Sequence, residues 1–307
     1  MDTFKAGLSK TLFWLLTLSV GAGLACSKSS ATLQSSSNKN SEPAASAGTN
    51  QAHEDAEKMF ADFFVEGDSL SYNGYEVVKL KRWMNEANEK QTHLEPCAVL
   101  TRKGRPVTTF EGITHGGLAA IDFGLASLLG PEAKQLVVSQ TRPRGGRHWV
   151  VDLSDGTILF DSFEYAVGRE DGWIKDVDRD GISEIIFELP AFYMFEAMSP
   201  SVTPLPEIIF RYDTNTRKYL PANALLRFGL EGIDKAIEDL DSTPTAEARS
   251  EGGYVSARLD ILLRYVFAGK ENEGWAFFEE HYRLDDRQEI KLKIEAVLAT
   301  EPINKLI

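Results

Sequence analysis

Apolar positions change their spacing three times along this 307-residue chain, and each change marks a new part. From about residue 97 to 222 they come in short runs broken by Gly, Asp, Asn and Pro, as strands joined by tight turns do. TRKGRPVTTF predicts a hairpin pivoting near Lys103 and Gly104. KQLVVSQT is a strand, and RHWVVDLSDGTILFDS a hairpin turning at Ser154, Asp155 and Gly156. ISEIIFEL and PEIIFRYD are two more strands, the second followed by a turn at Asp213, Thr214 and Asn215 and then by RKYLPA. Two segments read differently: HEDAEKMFADFF predicts a short helix and IDFGLASLLG a short helical turn. After Asn223, Leu226, Leu230, Ile233, Ile237 and Leu240 step by four and three, one face of a helix. STPTAEARSEGG is a linker, YVSARLDILLRYVFAG a second helix, and EGWAFFEEHY and DDRQEIKLKIEAVLA a third and fourth, with Asp285 or Asp286 capping the last.

These patterns predict an α+β protein. An antiparallel β-rich domain over 53–222, an incomplete propeller-like or a sandwich-like sheet, precedes a helical region over 223–307. The helices hint at a repeat, but two pairs are too few to stand alone, so they are expected to pack on the sheet. Trp275, Phe277 and Phe278 are the expected helix–sheet contact.

The first fifty residues have another character. Lys5 and Lys10 precede the apolar stretch TLFWLLTLSVGAGLA, which is too short to span a bilayer comfortably and fits an export signal over 1–25. The segment GLAC resembles the lipobox of bacterial lipoproteins, which implies lipidation of Cys26 and anchoring to the cell envelope. Gly23 stands where that family prefers Leu, and Gly23 with Ala25 also fits a small-x-small cleavage site that would release a soluble periplasmic or secreted protein. Residues 26–52, almost wholly Ser, Ala, Asn, Thr and Gly after the cysteine, read as a flexible tether. With Cys26 lipidated, Cys97 is left without a cysteine to bond and reads as a buried strand thiol. A formal charge of −13 offers no basic excess for phosphates, so nucleic acid is excluded as an expected partner.

One acidic stretch, DVDRDGISEII, has a pattern of its own. Asp176, Asp178 and Asp180 alternate before Gly181, so their side chains share one side of a tight turn, and oxygen ligands so placed suit a hard cation. The carbonyl of Ile182 and the carboxylate of Glu184 complete the expected ligand set for a structural Ca²⁺. Position twelve is Phe187 and the following run is strand-like, which excludes an EF-hand. DVDRDGISEIIF resembles the loop of integrin-alpha-type (FG-GAP) repeats, which joins propeller strands and binds Ca²⁺. It occurs once and no longer period accompanies it, so a full propeller is not expected. From KQLVVSQT to RKYLPA the order of elements resembles a group of exported bacterial proteins carrying a single such repeat. Many of those have paired cysteines after the Gly-Gly-x-His, where this chain has Trp149 and Val150.

Other chemistry is sparse. Arg142, Arg144 and Arg147, beside His148, make the most basic patch, readable as an anion site or as a loop offsetting Glu170 and Asp171. His115 precedes two glycines, His93 and His281 have no ligand spacing, and no hydrolase, nucleotide or zinc motif occurs. Asp155 and Asp161 flank a hairpin, and Phe192, Tyr193, Phe195 and Met198 are core or an exposed patch. No catalytic residue is assigned. The expected function is a non-enzymatic envelope lipoprotein with a calcium-type loop, binding an envelope protein or glycan. Two alternatives stand beside it: an envelope hydrolase using His148 or His115 with an acidic partner, and a scaffold docking a partner through the C-terminal helices.

Overall fold

The computed structural model describes residues 57–85, 92–111, 119–142, 145–168, 172–193, 195–198, 201–242 and 252–307, all within one compact unit, Ala52–Ile307. The fold is α+β, with three antiparallel sheets followed by helices. The first sheet joins β2 (Ser69–Tyr72), β3 (Tyr75–Asn85), β4 (Thr92–Arg102) and β5 (Arg105–Phe110) in chain order. Its two short turns are Asn73–Gly74 and Lys103–Gly104, each with both residues at positive φ. That is the turn whose twist matches paired strands, so the hairpin expected at Lys103 is present. Cys97 is buried in β4.

The second sheet, β6 (Ala120–Ala126), β7 (Gln135–Arg142), β8 (Gly145–Asp152) and β9 (Ile158–Asp161), is the central layer. Leu136, Val138, Trp149 and Val151 pack with Tyr75, Val77, Leu100 and Phe110 of the first sheet. The intervening Val137 and Val150 turn the other way, into a core shared with the third sheet. A sheet covered on both faces reads as unbroken apolar runs, which is why QLVV and WVV show no alternation.

The third sheet carries the acidic loop. It runs β1 (Lys58–Met59), β10 (Trp173–Lys175), β11 (Glu184–Glu188), β12 (Glu207–Asp213) and β13 (Lys218–Pro221). Ile185, Phe187, Ile208 and Phe210 face the central sheet. The same core continues into α3 (Gly253–Phe267), α4 (Glu271–His281) and α5 (Arg287–Leu298) through Leu259, Leu262, Phe278 and Ile294. The helical region therefore shares a core with the sheets, and Phe278 lies within it. Phe277 instead joins Ile233, Leu240 and Ile261 between helices. Phe192 and Met198 are fully buried in the shared core. No described helix is long and apolar enough to cross a membrane.

Several expectations need correction. In HEDAEKMFADFF the described residues form β1 and a 3₁₀ turn, Phe60–Phe63, not an α-helix. Pairing with a strand more than a hundred residues later, Lys58 to Ile174 and Met59 to Trp173, overrides the local pattern. IDFGLASLLG contains strand β6, because seven registered pairs with β7 outweigh its helical spacing. The helix after Asn223 is broken into α1 (Asn223–Leu226) and α2 (Ile233–Ser242), with Gly229 and Gly232 at positive φ between them. Asp286 stands at the start of α5, but its side chain makes no capping bond there. The segments 1–25 and 26–52, including Cys26, lie outside the described residues, as do His115, Arg144, Glu170 and Asp171.

The strap formed by residues 58–65 ties the third sheet to the central one. Phe60 N–H donates to Gly172 O, and Val65 N–H to Phe123 O. Gly124 permits this: a β-carbon there would fall 1.6 Å from the Phe63 carbonyl oxygen. Because the obstacle is backbone, Gly124→Ala is expected to displace the strap and cost about 3 kcal/mol, read by chemical denaturation.

Candidate metal site

Residues 176–183 connect β10 to β11, whose last pair is Lys175 with Glu184. Short acidic side chains form this turn by accepting bonds from the backbone ahead of them. Asp176 Oδ1 and Oδ2 accept from the amides of Asp180 (3.1 Å) and Gly181 (2.9 Å). Asp178 Oδ1 accepts from Asp180 N at 3.3 Å, and Asp180 Oδ1 from Ile182 N at 2.8 Å. Gly181, at φ +85 with open space around it, supplies the left-handed backbone that reverses the chain. The Ser183 amide donates to Leu128 O at 2.8 Å, and its carbonyl accepts from Tyr219 Oη at 3.1 Å, so the loop is fastened to its surroundings.

Carboxylate oxygens of Asp176, Asp178 and Glu184 lie within 4.8 Å of one another. Asp178 is exposed and Asp176 half-buried, whereas Glu184 is fully buried. Glu184 Oε2 accepts from the Val177 amide at 2.7 Å, but Oε1 is buried with no hydrogen-bond partner among the described residues. Burial, with the charges of Asp178, Asp180 and Asp176 against the single Val177 bond, pushes the Glu184 carboxyl up to about 7. A buried acceptor facing two carboxylates is the environment a divalent cation relieves, and three hard oxygens suit calcium rather than a soft metal.

A second cation source is built into the chain. Arg211 on β12, one residue beyond the Ile185–Phe210 pair and so level with Glu184, reaches Asp178 Oδ2 at 2.8 Å and Asp180 Oδ2 at 2.6 Å. Its Nε is 3.8 Å from Glu184 Oε1, too far for a hydrogen bond. Burial alone would raise the Asp180 carboxyl, but Arg211 and the Ile182 amide outweigh it and hold it below its usual range. The structure thus brings Asp176, Asp178 and Glu184 together, and turns Asp180 toward Arg211. Sequence reasoning misses Arg211, because its place depends on the β11–β12 register, which a lone strand pattern does not carry.

The other candidates are built into the fold. His148 is 1% exposed between the central and third sheets, edge-on to Phe60 and 5.0 Å from the Phe187 ring. Its Nδ1 is 2.7 Å from Ser139 Oγ, and its amide donates to Ser162 Oγ at 2.9 Å. Arg147 binds Asp161 with two nitrogens and lies over the Trp149 ring at 4.9 Å. Asp155 is held by Arg217 at 2.7 Å, and its carboxyl falls to about 2 through that bond and those from Thr157. Asp155 and Asp161 are therefore each engaged by a different arginine. The His281 ring stacks on Phe277, and His93 lies on β4.

Compared with known proteins, the chain matches no family model, no curated protein and no solved structure.

Proposed function

We propose that this chain is an exported, lipid-anchored protein of the bacterial cell envelope, non-enzymatic, with one structural Ca²⁺ in its 176–184 loop and a binding or accessory role. The address rests on the N-terminal apolar stretch and GLAC at Cys26. The observation that carries the ion is Glu184: a wholly buried carboxylate with one unbonded oxygen, facing Asp176 and Asp178. Asp176, Asp178 and Glu184 would hold calcium by side chain, with Asp180 and the Ile182 carbonyl completing the set once Arg211 gives way. The ion would then pin the end of the β10–β11 hairpin, with an affinity in the weak extracellular range of roughly 10⁻⁴ to 10⁻³ M.

Arg211 makes this reading testable in an unusual direction. Its guanidinium already neutralises Asp178 and Asp180, so it competes with the ion. Arg211→Gln is expected to tighten calcium binding by about tenfold in titration calorimetry, since removing a nearby positive charge is worth on the order of 1 kcal/mol at a partly exposed site. A weaker or unchanged affinity would contradict it. Mass measurement of the mature N-terminus tests the anchor: a diacylated Cys26 is expected, and an unmodified chain beginning after Ala25 would replace anchoring with release.

A hydrolase built on His148 draws no support from its burial between sheets, where water and substrate have no access. A scaffold docking through its helices would present an apolar stripe. The exposed large hydrophobics among the described residues of the tail, Leu225, Leu292 and Ile307, do not share a helix face.

A further inference from the structure

The third sheet buries its inner face in the core, and its outer face forms the floor of a cleft of about 810 Å³. That volume lies within the range of small-ligand sites. Ile186 of β11 and Trp173 of β10 line it from the sheet, joined by Phe228 and by Leu263 and Phe267 of α3. Val177, whose amide holds Glu184, also lines it, so the cleft adjoins the acidic loop without using its carboxylates.

The charges around this apolar interior are unequal. Five carboxylates, Glu57, Glu188, Glu207, Glu231 and Asp260, face three cations, Lys175, Arg227 and Arg264. Two of the cations are already engaged, Lys175 with Glu57 at 3.4 Å and Arg264 with Asp260 at 2.9 Å. Burial raises the Glu207 carboxyl, and the neighbouring Glu57 charge raises it further, more than Arg264 and Lys175 lower it. Burial likewise raises Asp260 despite its arginine. An anion entering here would meet a surplus of its own sign, and a neutral guest would desolvate carboxylates without compensating them. A cation would do the opposite, and the aromatic residues Trp173 and Phe228 in the lining suit one. The whole chain's negative charge would also raise the local concentration of such a ligand.

We infer that this cleft binds an organic cation, an amine or guanidinium on an aliphatic stem, supplied as a free diamine or as a lysine side chain of an envelope peptide. The stem would lie on Ile186, Leu263 and Phe267 and the charged end among Glu207, Glu231 and Asp260. This deepens the binding role proposed above and rests on it, but it is independent of the calcium loop.

The test is calorimetric titration of the full-length protein, in calcium and in chelator, with cadaverine, glutarate, 1-pentanol and a capped Gly-Lys-Gly peptide. Cadaverine or the peptide is expected to bind saturably, at least about tenfold more tightly than glutarate or pentanol, and whichever binds more tightly identifies the source. Glu207→Gln is expected to weaken that binding about tenfold while leaving the melting temperature in place, because glutamine keeps the size of the side chain and the Glu188–Glu207 strand pairing. Glutarate or pentanol binding as tightly as the amines would overturn the cationic ligand and leave a binding cleft. No saturable binding by any of the four would remove both the cleft and the binding role. An unchanged affinity in Glu207→Gln would place the amine elsewhere and overturn the assignment.

Discussion

Phe187→Ala is expected to destabilise the protein by about 3–5 kcal/mol, the range for removing a large aromatic from a packed core. The Phe187 ring is 1% exposed and occupies the junction between the central and third sheets. It lies 5.5 Å from the Phe60 ring, 5.7 Å from Phe160 and 5.0 Å from the His148 imidazole. These neighbours come from the strap, β9 and β8, so none can close the gap without moving a different element. Gly172 faces the same ring so closely that a β-carbon there would come within 2.5 Å of it. Urea unfolding should show a lower midpoint with an unchanged slope, since the surface exposed on unfolding stays nearly the same. A loss under about 1 kcal/mol would mean that the sheets are not joined through this residue.

In chelator, the wild-type protein is expected to lose about 2–3 kcal/mol of stability relative to Glu184→Gln as pH rises from 5 to 8. The folded-state carboxyl lies at about 7, raised first by burial and then by three nearby aspartates, against 4.5 when unperturbed. Between these values the folded state holds a proton that the unfolded chain has released, so stability falls as pH rises. The penalty is absent below about 4.5 and complete above about 7. A tenfold change in proton affinity between the folded and unfolded chain corresponds to about 1.4 kcal/mol, and Arg211 and entering water reduce the sum. Glutamine keeps an oxygen for the Val177 amide and cannot ionise, so its curve serves as the reference. Paired denaturation curves at pH 5, 6, 7 and 8 read the difference directly. Parallel wild-type and variant curves would show that Glu184 is solvated in the metal-free protein.

Much of this architecture is legible in the chain because local and distant forces agree there. Asp155 and Gly156 turn a hairpin, and QLVV and HWVV are strands, whichever sheets cover them. The helices after Gly252 follow their own periodicity because each has one face in the core. Where distant partners decide, local pattern misleads. Nothing within residues 58–59 announces pairing with β10, and the helical spacing of Leu125, Leu128 and Leu129 hides the period of two in Ile121 and Phe123. The acidic loop is visible because three aspartates and a glycine are a local signal. Its counter-ion Arg211, the complete burial of Glu184 and the cleft behind Trp173 are products of strand register and layer packing, which no short segment encodes.

The central question is whether a cation completes the cluster around Glu184. Thermal unfolding at pH 8, in chelator and in 5 mM calcium chloride, with magnesium at equal ionic strength as control, measures this. For a dissociation constant of roughly 10⁻⁴ M, binding to the folded state alone adds about 2 kcal/mol, or about 5 °C in the melting temperature of a domain this size. The expected result is that rise for the wild type with calcium, a smaller one with magnesium, and none with calcium in Glu184→Gln. Equal melting temperatures for the wild type in chelator and calcium would contradict a calcium site here and leave the loop to its arginine counter-ion, Arg211.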